Sequence, residues 1–227
     1  VYITGLISRL MPVFIFVVLL NMMWSGNLHL FLNMWKPIAA FASVLIILMG
    51  IMLLTVASKE KVKIPVLVRK MLPTFLISLG TASSTAANGE CSDCLHKKLG
   101  VNKRFVEFGQ PVGGVIFMPS TSMNFMVCAV YMAASYKVDV SLFWLIIAII
   151  ICTFVAIATP PVPGGAIAAY TVIFAQLGIP SEALAIIVTM DIIFDFIATA
   201  FDNAFLQLEL IRQADGNNML NFDVLRK

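Results

Sequence analysis

Two short polar patches, each set between apolar runs, limit what this chain can fold into more than any other feature. The first is Gly80 to Glu90, GTASSTAANGE, and the second is Thr159 to Gly165, TPPVPGG. Hydrocarbon offers no partner to a free N–H or C=O. Broken backbone at membrane depth therefore persists only where protein or a watery cavity solvates it, and such places bind ligands. The patches are expected to be the tips, 81–90 and 159–165, of two helical hairpins that enter a membrane and turn back inside it.

Composition places the chain in lipid. Of its 227 residues 60% are hydrophobic and 12% charged, where a soluble domain carries about 25% charged residues. The length allows about five or six spans and leaves no room for a second, soluble domain. The net charge of +3 is small and the basic residues fall in short loops, so no nucleic-acid face is expected. Val1 to Trp24 has no cleavage-site pattern of a secretory leader.

Cys91, Cys94, Cys128 and Cys152 show no disulfide spacing. Cys91, Asp93, Cys94 and His96 invite a zinc reading, but a closed site needs four ligands and no second Cys or His pair exists, which disfavours a metal there. No nucleophile and base pair, phosphate loop or metal-hydrolase spacing appears. An enzyme is not expected.

Along the chain, residues 1–58 read as two transmembrane helices, Leu10 to Trp24 and Pro37 to Ala57. Residues 59–135 form a first unit. After the basic loop at Lys59, Lys61, Lys63, Arg69 and Lys70, only about eleven apolar residues precede the first tip, which is roughly 16 Å of helix against about 30 Å of hydrocarbon. Cys91 to Leu99 is no better a span, so neither arm is expected to cross. Pro119, inside the stretch 117–121, should unwind the helix that follows.

Residues 136–211 form a second unit: an arm from Leu142 to Ala158, a return arm from Ala166 to Leu177, and a last helix from an N-cap at Ser181 to Ile211, with 212–227 as a cytoplasmic tail. With the first span running outward, thirteen of the fifteen Lys and Arg fall inside, leaving Lys36 and Lys137 outside. The fold class that results is an all-α polytopic membrane protein with two oppositely oriented re-entrant helical hairpins and a broken helix. Inverted repeats that hold substrate at their interface are a recurring design of secondary transporters.

Asp191, Asp195 and Asp202, at spacings of four and seven, lie on one face of the last helix. A carboxylate within a span costs at least about 2 kcal/mol unless it meets a cation, a proton or a polar cavity. Three on one face point to the lining of a pathway. The alternative is that the helix ends early and Asp202 already lies among the headgroups.

The order of a Ser-rich tip, a broken helix, a Val-Pro-Gly tip and a final helix with paired acidic residues resembles the dicarboxylate/amino acid:cation symporter family, the glutamate transporter homologues. Ser83-Ser84-Thr85-Ala86-Ala87 is similar to the first five positions of the family's first tip, and Asn88-Gly89-Glu90 departs from the TLP that follows there. Phe117-Met118-Pro119-Ser120-Thr121 matches the family's NMDGT, and Val162-Pro163-Gly164 its second tip. In the last helix Asp191, Asp195, Ala198, Thr199, Asp202 and Leu206 stand in the places of the family's Asp, Asp, Arg, Thr, Asn and Asp.

The resemblance implies substrate contacts at Thr85, Thr121, Val162, Pro163, Gly164, Asp195, Thr199 and Asp202, and cation contacts at Met118 and Thr159. It implies no organic cofactor, Na+ as coupling ion, membrane lipids around a homotrimer, and a small-molecule solute. Further helices precede this region in the family, and the chain opens on Val1, so it is expected to be part of a longer protein from a bacterial or archaeal cytoplasmic membrane.

Four departures shape the expected function. Ala198 replaces the guanidinium that reads an acidic side chain, and a methyl group cannot substitute for a planar bidentate donor. Phe117, Pro119 and Leu206 replace sodium-binding side chains. The reading is a cation-coupled symporter of a small amino acid or carboxylate, with acidic substrates disfavoured. Its rivals are a channel-like or non-transporting relative of the fold, and a proton-coupled carrier using Glu90 or Asp202.

Overall fold

The computed structural model describes Leu20, residues 35–159 and residues 165–227. The expected first span and the second tip lie outside that set, apart from Leu20 and the edge residues Thr159 and Gly165. The described residues are helical, with no strand among them beyond one isolated bridge between Val101 and Leu220. The helices are α1 (Trp35–Glu60), α2 (Ile64–Thr81), α3 (Ser84–Asp93, continued by a π-helical turn Cys94–Lys98), α4 (Lys103–Ile116), α5 (Pro119–Ser135), α6 (Leu142–Ala158), α7 (Ala166–Leu177), α8 (Ala183–Gly216) and α9 (Phe222–Arg226).

Three stretches are long and apolar enough to cross a membrane: α1, α2, and α4 with α5 taken together. Their outer faces carry Ile46, Ile47, Leu76 and Phe108 in the open, as do Phe143 and Phe154 on α6. Such faces suit lipid as the surrounding solvent. The chain is an integral membrane protein.

The first hairpin is narrower at its tip and longer in its arm than the sequence implies. Only Ala82, in the left-handed region at φ 45°, and Ser83 separate the arms, because the Ser83 hydroxyl accepts from Ala86 N at 3.3 Å and starts α3 at once. Residues 84–90, expected as open tip, are helix. The incoming arm is α2, with 18 residues where eleven were counted, since Pro65 suits the first turn and Arg69 and Lys70 continue the helix without breaking it. At roughly 1.5 Å per residue that arm reaches about 27 Å, enough by length to cross, which corrects the expectation that neither arm can. The arms close on each other at their base, where Cys94 Sγ donates to Lys70 O at 3.2 Å.

The second hairpin is fastened in the same way at its own base. Trp144 Nε1, in the first turn of α6, donates to Leu177 O at the end of α7 at 3.0 Å. A left-handed Gly178, φ 68°, then ends α7 and sends the chain into α8. That helix begins at Ala183 with Glu182 as an N-cap making no side-chain bond, so Ser181 does not cap it, and it runs on to Gly216 past the expected Ile211.

Helix α8 is the axis of the molecule and packs against α1, α2, α4, α5 and α7. Two apolar clusters flank it. One gathers Phe41, Phe125, Tyr170 and Phe194, and the other Leu67, Leu95, Leu208 and Ile211. The basic residues collect at one end. Lys59 pairs with Asp215 at 2.7 Å, Lys70 Nζ donates to Val224 O and Leu225 O, and Arg226 Nε donates to Glu60 O. The tail is therefore not loose: α9 folds back onto the ends of α1 and α2.

Candidate functional site

The break in the α4–α5 helix is where the site begins. Helix α4 stops at Ile116, Phe117 and Met118 leave helical geometry, and α5 restarts at Pro119. Proline in the first helical position lacks only an N–H that has no partner there anyway, so it starts this helix instead of disrupting one. The break expected over 117–121 is narrower: only Phe117 and Met118 leave the helix, and Pro119, Ser120 and Thr121 are already the first turn of α5.

Such a start leaves the N–H groups of Ser120 and Thr121 uncapped, because Met118 makes no side-chain cap. Asp202, from the middle of α8, supplies the missing acceptor. Its carboxylate takes Ser120 N at 2.6 Å and Thr121 N at 3.2 Å, and the Thr121 hydroxyl donates to it at 2.7 Å. Asp202 is buried at 7% exposure.

A cavity of about 40 Å³ opens beside this junction. Ser84 from the start of α3, Phe117 and Met118 from the break, Thr121 from α5, Thr159 from the inner end of α6, and Asp195, Thr199, Asp202, Asn203 and Leu206 from α8 all line it. Among the described residues no Lys or Arg does. Among the described residues Asp195 receives a hydrogen bond from the Thr199 hydroxyl at a long 3.4 Å.

Asp191 lies one turn before Asp195 and is engaged through one carboxylate oxygen. Asn124 Nδ2 donates to it at 3.0 Å and the Tyr170 hydroxyl at 2.7 Å, both to Oδ1. On the other side of the cavity, Asn203 Nδ2 donates to Ser78 Oγ at 2.9 Å and to Ser84 Oγ at 3.3 Å, pinning the first tip to α8. One turn further, Gln207 Nε2 donates to Thr74 Oγ1 at 3.0 Å.

Of the residues that the sequence singled out, Met118, Thr121, Thr159, Asp195, Thr199 and Asp202 are brought together around the cavity. Thr85 is not. Its side chain is exposed one position beyond the wall, and the tip hydroxyl that reaches the cavity is that of Ser84. Val162, Pro163 and Gly164 lie outside the described residues. Ala198 is 1% exposed and belongs to the apolar cluster that includes Phe125 and Tyr170; it is not among the described residues lining the cavity, although its cluster neighbour Phe125 is.

Glu90 is on the outer arm of the hairpin, paired with Lys98 at 2.7 Å, and that hydrogen bond holds the Lys98 ammonium above its usual pKa. The other residues of the zinc reading are spoken for separately. Asp93 bonds Lys97, and His96 Nδ1 meets Val101 O. The polar residues that sequence reasoning missed are Asn203 and Gln207. A signal for them exists, because Asp191, Asp195, Thr199, Asn203 and Gln207 recur every fourth residue and so form one stripe along α8.

A cavity at a helix break, lined by Ser84 at the start of α3, by Thr159 and Ala166, and by carboxylate and amide side chains of α8, agrees with what sequence comparison finds. The profile of the sodium:dicarboxylate symporter family matches residues 1–204. The chain belongs to the sodium:dicarboxylate symporter family. This is a family of membrane transporters and not of enzymes.

Similar proteins within this symporter family include an excitatory amino acid transporter of Caenorhabditis elegans, 28% identical over 60% of this chain and 27% of its own length. Another, from Onchocerca volvulus, is 28% identical over 60% of this chain and 28% of its own. Excitatory amino acid transporter 1 of Rattus norvegicus is 26% identical over 57% and 24% respectively. The chain spans about a quarter of the length of these curated relatives. All three are eukaryotic, so they lend no support to a bacterial or archaeal membrane.

Proposed function

We propose that this chain is the substrate-handling part of a secondary active transporter that couples uptake of a small amino acid or carboxylate to a cation gradient, Na+ first among candidates. The observation that carries the reading is the convergence of Asp195, Thr199, Asp202, Thr121 and Ser84 on one cavity at a helix break. Ionisable side chains kept at that depth without basic partners suit a site that receives a cation or an ammonium group. Met118 and Thr159, on the same wall, are the places where the coupling ion is proposed to bind. The relatives named as excitatory amino acid transporters support an amino acid as solute.

At about 40 Å³ the cavity holds a few waters or a bare ion. Entry of a solute requires the walls to part, as alternating access demands. The working assembly is proposed to be a homotrimer in a lipid bilayer. Reconstitution into proteoliposomes tests the function: amino acid uptake should follow an imposed Na+ gradient and collapse when it is dissipated. Uptake indifferent to Na+ and driven by pH would favour a proton-coupled carrier instead.

One observation favours a second reading. Leu206, where the family places a carboxylate, packs its side chain against Gly113 so closely that a Cβ added to Gly113 would overlap Leu206 Cδ1. Apolar packing fills that place. A protein of this fold that binds solute, or opens as a channel, without full ion coupling fits this feature, and its mark would be solute binding with no gradient-driven accumulation.

A further inference from the structure

The turn that joins α1 to α2 holds a lysine where glycine is the usual residue. Helix α1 ends at Glu60, Val62 N donates back to Ala57 O at 3.0 Å, and Lys61 between them is left-handed at φ 54°. That pattern of bonds closes a helix end around a residue without a Cβ, most often glycine. A lysine kept there against the strain, with its side chain exposed, points to a use for the charge.

The fold adds to that charge. Lys63 and Arg69 are exposed on the residues that follow. The tail brings two more cations across 166 residues of chain, because Arg226 Nε donates to Glu60 O at 3.1 Å and the exposed Lys227 stands beside it. None of these five side chains forms an ion pair among the described residues, and the residues outside that set include no Asp or Glu. Of the carboxylates in this corner Asp215 is taken by Lys59 at 2.7 Å and Glu60 is buried, which leaves Asp223 exposed against five cations.

The length of α1 sets the depth of the corner. Its 26 residues make roughly 39 Å of helix, against about 30 Å of hydrocarbon, so the charged end lies among the headgroups. On the same tail Met219 and Phe222 are open to the surroundings, with Arg226 5.0 Å from the centre of the Phe222 ring. Cations next to exposed apolar side chains at the end of a span suit a surface of phosphate laid over hydrocarbon.

We propose that the α1–α2 turn, completed by Arg226 and Lys227 of the tail, is a docking surface for the phosphate headgroups of anionic phospholipids in the leaflet where α1 ends. Lys61 is its fixed point, since the turn that strains its backbone also holds its side chain outward. The assignment needs only the membrane and stands whether or not the chain carries a solute.

The test is native mass spectrometry of the full chain in dodecyl maltoside with equal amounts of dioleoyl phosphatidylglycerol and dioleoyl phosphatidylcholine. The wild type should retain phosphatidylglycerol in excess, and the excess should shrink as ammonium acetate is raised. Lys61→Gly removes the charge and relaxes the backbone. It should lose about 5-fold in affinity for phosphatidylglycerol while its Tm does not fall, a combination that a merely structural lysine would not give. Lys63→Gln combined with Lys227→Gln, at two exposed positions, should lose about 25-fold and leave phosphatidylcholine binding unchanged.

Equal retention of the two lipids by the wild type overturns the assignment and leaves the corner to an acidic protein segment. A phosphatidylglycerol preference undiminished in both variants overturns it as well. So does a rise in Tm with inorganic phosphate equal to that with phosphatidylglycerol, which would mark a site for the free anion.

Discussion

Asn203, on the central helix, donates to the Ser78 hydroxyl at 2.9 Å, across 125 residues of chain, and so fixes where the first hairpin stands against α8. Both groups are buried, and the same amide reaches Ser84 on the cavity wall. Replacing Asn203 with Leu should leave the Ser78 and Ser84 hydroxyls short of a partner and cost about 1–3 kcal/mol. The measurement is Tm in detergent. An unchanged Tm would mean that this contact does not hold the hairpin.

Tyr170 should behave as a lock on Asp191. Its hydroxyl donates at 2.7 Å while its ring lies edge-on to Phe125, with centroids 5.0 Å apart. Tyr170→Phe keeps the ring contact and removes only the hydrogen bond, so a loss of about 1–3 kcal/mol is expected. Adding Asp191→Asn, which removes the charge that needs the donor, should make the second loss smaller than the first. Equal and additive losses would show that the two groups act independently.

Gly113 and Leu206 form a size-matched pair. Gly113→Ala should cost about 1–3 kcal/mol through overpacking against Leu206. In a Leu206→Ala background the added methyl enters space already vacated. The double variant should then recover most of the loss, read as a non-additive shift in Tm.

Ala198→Arg is expected to unsettle the fold and not to change the substrate. The position is 1% exposed within the apolar cluster, so a guanidinium there is overpacked and lacks a partner, at a cost of several kcal/mol. A marked fall in Tm, or loss of folded protein on size exclusion, is the expected result. A stable variant that binds L-aspartate would restore Ala198 to the cavity wall.

Cysteine placed at Thr85 should react readily with a small water-soluble thiol reagent, and cysteine at Ser84 slowly. Thr85 is exposed, while Ser84 is partly enclosed and bonded to Asn203. The four native cysteines are buried, so their background labelling should be low. Reversed rates would move the tip by one residue.

How much was legible in the sequence depends on whether a feature is local. Apolar runs, the break at 117–118 and the carboxylate face of α8 are periodicities and punctuation, which neighbouring residues set. Element ends were harder. Arg69 and Lys70 looked like loop, but their charges sit at the basic end of α2 where Lys70 finds the terminal carbonyls of α9, a partner 154 residues away. The first tip seemed long because Ser, Thr and Asn favour turns, yet one Ser83 cap converts the rest into helix.

By itself the sequence determined that the chain is helical, bound for a membrane, and provided with polar tips and a stripe of acidic and amide side chains on its last long helix. It could not say which of Ser84 and Thr85 reaches the cavity, that Asp202 caps α5, or that Ala198 is buried in an apolar cluster. Those were decided only when segments about eighty or more residues apart packed together. A helix fixes the spacing of its side chains through its own hydrogen bonds, but which face meets a cavity is set by the neighbours that cover the others.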